Sequence, residues 1–181
     1  NERRRLIRNG NQLVARGSLD AGCQFYAGYP VPATAGLHDT LMSRLPRARR
    51  VAIGAPDETS ALAYCVGASA RGAKAMTATS SAGWPRMIDM VQYAVMTELP
   101  VVVVVVQQLG PSSGGETRCA QGDVLLTEYA ISGGYLLPVF APSTPTECYE
   151  VTTAAFYWSE LLRTPAVVLS AGVPSVPVSC P

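Results

Sequence analysis

The chain has 181 residues, of which 48% are hydrophobic and 15% are charged, and its formal net charge is +1. This length suits one domain with a sizeable core, and the balanced charge indicates no nucleic-acid partner. The charged share lies below the ~25% of a typical soluble domain, so we expect a compact chain or a surface covered by a partner. The longest apolar run, Leu99–Val106, spans eight residues and is too short for a membrane span of ~20 residues.

Strand-like and helix-like segments alternate along the chain. The predicted strands are 25–29, 50–53, 73–79, 101–106, 135–140 and 166–170, and the predicted helices are 37–45, 59–72, 84–98, 126–131 and 144–162. Six consecutive valines at 101–106 indicate a strand buried on both faces, as in the middle of a parallel sheet. The alternation predicts an α/β domain with a doubly wound, mostly parallel sheet and helices on both faces. We expect the domain to cover residues 1–173, with the proline-rich residues 174–181 as a C-terminal tail.

The cysteines do not form a recognisable framework. They are odd in number and none is spaced as Cys-x-x-Cys: Cys23, Cys65, Cys119, Cys148 and Cys180. This predicts neither a metal site nor an iron–sulfur cluster, and it favours a reduced, cytoplasmic setting. The N-terminus is charged and lacks an apolar leader region, so no signal peptide is expected.

Glu58 is the strongest candidate for chemistry. A short apolar strand runs into Pro56 and Asp57, and small residues then continue as a helix. Glu58 should therefore lie in the first turn of a helix, just past the carboxyl end of a strand, where open α/β sheets bind ligands. An acid at this position also stabilises the helix dipole or caps the helix, and from local sequence alone both interpretations remain open.

Several motifs in collinear order resemble one known family. They include the segment 10–30, Asp57 with Glu58, Lys-Ala-Met-Thr-Ala-Thr-Ser at 74–80, Gly-Pro-Ser-Ser-Gly at 110–114 and Gln-Gly-Asp at 121–123. Together they resemble the alpha subunits of 2-oxoacid:ferredoxin oxidoreductases, which depend on thiamine diphosphate. The resemblance implies the pyrimidine-binding (PYR) domain of that enzyme class and a small-molecule substrate.

The resemblance gives Glu58 a catalytic role. The matching acid in the family bonds N1′ of the cofactor's aminopyrimidine, and this favours the imino tautomer that removes the proton from the thiazolium C2. Asp57 is a rival, but its side chain is one methylene shorter. The implied cofactor-binding residues are Glu58 with the loop Ser80, Ser81, Ala82 and Gly83, although an ordinary strand-to-helix turn is the alternative for that loop.

The implied substrate-binding residues follow two other strands. They are Tyr29, Pro30, Thr34, Gln107 and Gln108. Two departures occur here. Pro32 stands where the family has a threonine, and Gln108 stands where it has an arginine expected to pair with the substrate carboxylate. Thr34 and Arg118 are candidate replacements for the missing hydroxyl and the missing cation. Glutamine cannot reproduce the charged, bidentate contact of arginine.

The usual Mg²⁺ motif of thiamine enzymes is incomplete. Gly122 and Asp123 are followed by valine, and no asparagine follows them. The resemblance therefore implies a second subunit that carries the diphosphate and Mg²⁺ domain, in an α2β2 assembly.

The departures and the short chain, similar in size to the small alpha subunits of sulfopyruvate and phosphonopyruvate decarboxylases, favour non-oxidative decarboxylation or carboligation. An oxidative, ferredoxin-linked reaction and a non-catalytic scaffold subunit are the alternatives. His38 is the single histidine, and no nucleophilic triad with Ser112 or Ser113 is indicated. The sequence does not identify the substrate or the acceptor.

Overall fold

The computed structural model describes residues 7–111, 120–171 and 178–179. Its centre is a six-stranded sheet in which all neighbouring strands run parallel. The described part of the chain has eight strands in all, six of which form this sheet. They are β1 (Ile7–Arg8), β2 (Phe25–Gly28), β3 (Val51–Gly54), β4 (Ala75–Ser80), β5 (Val102–Gln107), β6 (Val139–Phe140), β7 (Ala166–Ala171) and β8 (Val178–Ser179). The strand order of the sheet is β3-β2-β4-β5-β7-β6, and β1 pairs separately with β8.

Six α-helices occur in the described part of the chain. They are α1 (Gly10–Asp20), α2 (Ala35–Arg47), α3 (Glu58–Ala70), α4 (Trp84–Met96), α5 (Asp123–Tyr129) and α6 (Pro145–Leu162), with 3-10 turns at Pro32–Thr34 and Ser132–Gly134. Within residues 7–111, 120–171 and 178–179, none of these helices is both long and apolar enough to cross a membrane.

The central strand β5 separates two hydrophobic cores. Val102 and Val104 contribute to the core that contains buried residues of α1, α2 and α6, whereas Val103 and Val105 contribute to the core that contains α3 and α4. Successive side chains of a strand point to opposite faces, so a run of valines is buried from both sides. The doubly wound α/β prediction is confirmed.

Several predicted boundaries differ from the structure. Helix α1 was not predicted, and α2 was expected to end before Pro46 but continues to Arg47. A proline in the last turn removes only one backbone hydrogen bond, while buried Leu45 fixes that turn in the core. The strand predicted at 135–140 is reduced to Val139–Phe140, because Tyr135 and Leu136 are exposed and Pro138 has no amide donor. The domain limits 1–173 and 174–181 stay a prediction.

Helices α1 and α6 approach so closely at Gly17 that a larger residue does not fit. A Cβ atom at Gly17 would lie 2.7 Å from the Tyr149 carbonyl oxygen and 3.3 Å from Thr152 Cβ. We expect Gly17→Ala to lower the free energy of unfolding by about 1–3 kcal/mol, as overpacked core substitutions do. Denaturant unfolding measures the change.

Gly67→Ala is the matched control, because Gly67 is also helical and, in the part of the chain that the structure describes, no atom outside its own helix backbone lies within 4 Å of an added Cβ. We expect it to stabilise the chain by about 0.5–1 kcal/mol through helix propensity alone. Equal effects of the two substitutions would contradict the close helix contact.

Candidate functional site

The sheet has a switch point between its neighbouring strands β2 and β4. The loop after β2 leads to α2, which packs in one core, and the loop after β4 leads to α4, which packs in the other. Because the two connections leave toward opposite faces, a crevice opens at the carboxyl ends of the strands. A cavity of about 140 Å³ lies there, and we call it the switch-point cavity. Its lining residues are Val31, Pro32, Ala33, Glu58, Ser80, Ala82, Arg86 and Gln108.

Glu58 is the acid of the switch-point cavity. It is the first residue of α3 and only 5% exposed. The capping role belongs to Asp57, whose carboxylate accepts a hydrogen bond from the Ser60 amide at 2.7 Å. Hydrogen bonds from the Ser60 amide and hydroxyl hold the pKa of Asp57 below its usual value. The helix start is therefore capped without Glu58, which lines the cavity and accepts a hydrogen bond from Arg86 Nη1 at 3.2 Å.

The loop after β4 packs tightly against Glu58. A Cβ atom on Gly83 would lie 2.8 Å from Glu58 Cγ and 2.9 Å from Glu58 Oε1, and closer still to Thr79 Oγ1. The absence of a side chain at Gly83 therefore lets Glu58 and Thr79 pack against this loop. Ser80 and Ala82 of the same loop line the cavity.

Ser81 links the loops that surround the cavity. The backbone amide of Gln108 donates to Ser81 Oγ at 2.7 Å, and the Ser81 hydroxyl donates to the Asp123 carboxylate. The indole N–H of Trp84 donates to Thr127 Oγ1 at 3.0 Å. These bonds join the loop after β4, the loop after β5 and helix α5, so the position of Gln108 at the cavity is fixed by buried contacts.

The predicted substrate-binding residues divide into two groups. Gln108 lines the cavity, whereas Tyr29, Pro30, Thr34 and Gln107 do not belong to its lining. Thr34 is fully buried and donates its hydroxyl to the Val31 carbonyl at 3.2 Å. Gln107 is 3% exposed, and its Oε1 has no hydrogen-bond partner in the described part of the chain. Contacts of these residues with a substrate stay predictions.

The chain matches, over residues 16–174, a family described as pyruvate flavodoxin/ferredoxin oxidoreductase, thiamine diphosphate-binding. The chain belongs to this family. The resemblance inferred from the sequence motifs is thereby confirmed, and family membership supports thiamine diphosphate as the cofactor of this domain.

Similar proteins include two subunits of archaeal enzymes. The 2-oxoglutarate synthase subunit KorA of Methanocaldococcus jannaschii is 39% identical over 89% of this chain and 44% of that protein. The ketoisovalerate oxidoreductase subunit VorB of Methanothermobacter thermautotrophicus is 35% identical over 91% of this chain and 47% of that protein. The chain thus spans less than half the length of these relatives, so its size does not distinguish between the candidate reactions.

A similar solved structure is the 2-oxoglutarate:ferredoxin oxidoreductase from Magnetococcus marinus with 2-oxoglutarate, coenzyme A and succinyl-CoA bound. The TM-score is 0.92 at 31% sequence identity, and the match covers 97% of this chain and 31% of that one. The agreement extends across nearly the whole chain, so this thiamine-diphosphate-binding family member has the α/β fold of that oxidoreductase.

Arg86 is a site residue that the sequence reasoning missed. It lies in the first turn of α4, and its side chain is 66% exposed while its guanidinium contacts the buried carboxyl of Glu58. The sequence shows a positively charged residue two positions after the predicted helix start at Trp84. The contact between the starts of α3 and α4 could not be predicted from residue spacing. Arg118, Ser112 and Ser113 lie outside the described residues.

His38 occupies a structural position behind the site. Its Nδ1 and the hydroxyl of fully buried Tyr26 are hydrogen-bonded at 3.0 Å, and burial lowers the pKa of His38. A side chain on Gly28 would collide with this pair. Among the described residues, no three His, Cys, Asp or Glu side chains are grouped as metal ligands.

Proposed function

We propose that this chain is the aminopyrimidine-binding part of a thiamine-diphosphate-dependent 2-oxoacid:ferredoxin oxidoreductase. The observation that carries the proposal is Glu58, a buried carboxyl group in a cavity at the switch point of the sheet. Glu58 packs against Gly83, where an added Cβ atom would lie 2.9 Å from Glu58 Oε1, so the loop after β4 helps to hold the carboxyl group in place. Membership of the thiamine-diphosphate-binding family supports the same assignment.

Glu58 would share a proton with N1′ of the aminopyrimidine when the cofactor is bound. Thiamine diphosphate would supply the nucleophilic carbon for attack on the keto group of the substrate. Ser80 and Ala82 would lie against the ring, since both line the cavity, and Ser81 holds their loop through its bonds to Asp123 and Gln108.

The substrate class is a 2-oxoacid. Relatives are named for 2-oxoglutarate and ketoisovalerate, and the similar solved structure holds 2-oxoglutarate and coenzyme A. The compounds in these names share a 2-oxo carboxylate and differ in the side chain. The 2-oxoacid class is therefore better supported than any single substrate. The same comparison supports coenzyme A as the proposed acyl acceptor and ferredoxin as the proposed electron acceptor.

A non-oxidative decarboxylation or carboligation is the second candidate. Pro32 and Gln108 both line the switch-point cavity, at the two positions where the resembling family pattern has threonine and arginine. A cavity that lacks this hydroxyl and this guanidinium would have to bind the substrate carboxylate through other contacts. The relatives favour the oxidative reaction, and the cavity lining favours a difference in substrate.

A second polypeptide or domain should complete the active site. We propose that it holds the diphosphate and Mg²⁺, in an α2β2 arrangement in the cytoplasm. Exposed apolar side chains on and after α5 support a covered surface, among them Leu125, Tyr129 and Leu136 at 66%, 75% and 79% exposure. Leu125 and Tyr129 are four residues apart on α5 and therefore share one face of that helix.

The experiment is an assay of the assembled enzyme that contains this chain. We expect release of CO₂ from a 2-oxoacid, and reduction of a low-potential dye only when thiamine diphosphate and coenzyme A are both present. Substrates to compare are 2-oxoglutarate, pyruvate and 2-oxoisovalerate. Release of CO₂ without dye reduction would support the non-oxidative reaction, and no release from any 2-oxoacid would contradict the proposal.

A further inference from the structure

Arg86 is the one cation among the residues that line the switch-point cavity in the described part of the chain. Glu58 is the acid of that lining, and the other six residues are neutral. The Arg86 side chain is 66% exposed, whereas that of Glu58 is 7% exposed. The guanidinium therefore contacts a buried carboxyl group while it stays accessible to a solute that enters the cavity from solvent.

The backbone at Arg86 is held by the starts of two helices. The Arg86 carbonyl accepts a hydrogen bond from Thr59 Oγ1 at 3.0 Å, and the Arg86 amide donates to the Gly83 carbonyl at 3.1 Å. Thr59 belongs to the first turn of α3, and Gly83 precedes α4. The base of the side chain is thus fixed beside the cavity, and its guanidinium is an anchored positive charge.

Helix stability does not account for a cation at this position. Arg86 is the third residue of α4, and the N-terminal end of a helix dipole favours negative rather than positive charge. The ion pair with Glu58 joins Nη1 and Oε2 at 3.2 Å, but solvent around the exposed arginine reduces what the pair contributes to stability. A positive charge here is better suited to binding an anion than to supporting the fold.

The guanidinium has capacity for a second carboxylate. Its contact with Glu58 uses Nη1, whereas a guanidinium carries five N–H donors in a planar fork that matches a carboxylate. A 2-oxoacid bears a carboxylate next to its keto group, and burying that charge without a partner is costly. Pro32 has no side-chain donor and Gln108 offers a neutral amide, so among the described lining residues only Arg86 supplies the opposite charge.

We propose that Arg86 binds the 2-carboxylate of the substrate in the switch-point cavity. The inference rests on the proposed function, and it names a residue that determines the specificity of that site for 2-oxoacids. The contact is an ion pair with charge-assisted hydrogen bonds, so no covalent bond forms or breaks in this step. It assigns to α4 a contact that the neutral side chains of Pro32 and Gln108 do not provide.

The test uses steady-state kinetics of the assembled enzyme that contains this chain. Arg86→Met removes the charge and keeps an unbranched stem. We expect it to raise KM on the order of 10- to 100-fold, and by a similar factor for each 2-oxoacid that the wild type decarboxylates, because all of them share the 2-carboxylate. Arg86→Lys should recover part of the loss, since lysine keeps the charge but not the planar fork.

Deuterium exchange at C2 of bound thiamine diphosphate, measured without substrate, is the second readout. It depends on Glu58 and the cofactor but not on substrate binding, so any change in Arg86→Met should be much smaller than the rise in KM. Arg163→Met is the matched control, because Arg163 also lies 3.2 Å from a glutamate, Glu98, in a pair whose side chains are both exposed. It should change neither KM nor C2 exchange.

The outcomes separate this inference from the proposed function. An unchanged KM in Arg86→Met overturns the inference, and so does a loss of C2 exchange as large as the rise in KM, which would mean that Arg86 acts through Glu58. A rise in KM confined to 2-oxoglutarate also overturns it, because Arg86 would then bind the distal carboxylate. In each of these cases the wild type still decarboxylates a 2-oxoacid and the proposed function survives. If the wild type releases no CO₂ from any 2-oxoacid, the proposed function itself fails.

Discussion

Replacing Glu58 with glutamine should slow the loss of the C2 proton from bound thiamine diphosphate by roughly 10²- to 10⁴-fold, the usual range for a lost acid–base group. Glutamine has nearly the same shape but cannot hold or share a carboxyl proton. Because Asp57 caps α3 without help from Glu58, the helix start should remain intact. Deuterium exchange at C2, followed by NMR after acid quenching, measures the rate.

The control for this experiment is Glu98→Gln, because Glu98 is an exposed glutamate paired with Arg163. It should leave C2 exchange and turnover unchanged. Size-exclusion chromatography and thermal unfolding establish that the Glu58 variant still assembles. Loss of turnover with assembly intact supports the catalytic role, whereas unchanged exchange and turnover would show that the chain is a non-catalytic scaffold.

The sequence predicted the parts of the site that are local. Glu58 follows a short strand and begins a run of small helical residues, so its place at a sheet edge could be read from a few neighbouring positions. The six valines at 101–106 likewise predicted the central strand, because burial on both faces requires unbroken apolar character. Strand-to-helix succession then predicted the parallel sheet and the edge where its loops converge.

Contacts between distant segments could not be predicted in this way. Arg86 and Glu58 are separated by 28 residues and Ser81 and Asp123 by 42, and both contacts depend on how helix starts meet above the sheet. No pattern in the sequence predicts how these helix starts are arranged. The sequence motifs likewise did not indicate the hydrogen bonds of Ser81 with Asp123 and Gln108.

Helix α1 shows a different limit. Its 11 residues include two glycines, and its contact with α6 depends on the small size of Gly17, a residue that lowers helix propensity. A usable signal was present in Asn9, whose side chain accepts a hydrogen bond from the Gln12 amide at 2.9 Å as an N-cap. Tertiary packing outweighs propensity here, so a local reading of the segment underestimates the helix.

Adding a single methyl group at Gly83 should displace Glu58 or the loop after β4. In Gly83→Ala the new Cβ would lie 2.8 Å from Glu58 Cγ and 2.9 Å from Oε1, so the carboxyl group must move or the loop must shift. Overpacking of this kind costs about 1–3 kcal/mol, and we expect affinity for thiamine diphosphate to fall on the order of 10- to 100-fold. Calorimetric titration of the assembled apo-enzyme measures it.

Gly122→Ala separates this effect from a general loss of flexibility before a helix. Gly122 precedes α5 as Gly83 precedes α4, and their φ angles of −67° and −89° are open to alanine. Among the described residues beyond its chain neighbours, no atom lies within 4 Å of a Cβ at Gly122, so this variant should bind the cofactor like the wild type. Because both substitutions add the same methyl group to the same kind of position, a difference in affinity must come from the surroundings of Gly83. Wild-type affinity in Gly83→Ala would mean that cofactor binding does not depend on the packing of Glu58 against Gly83.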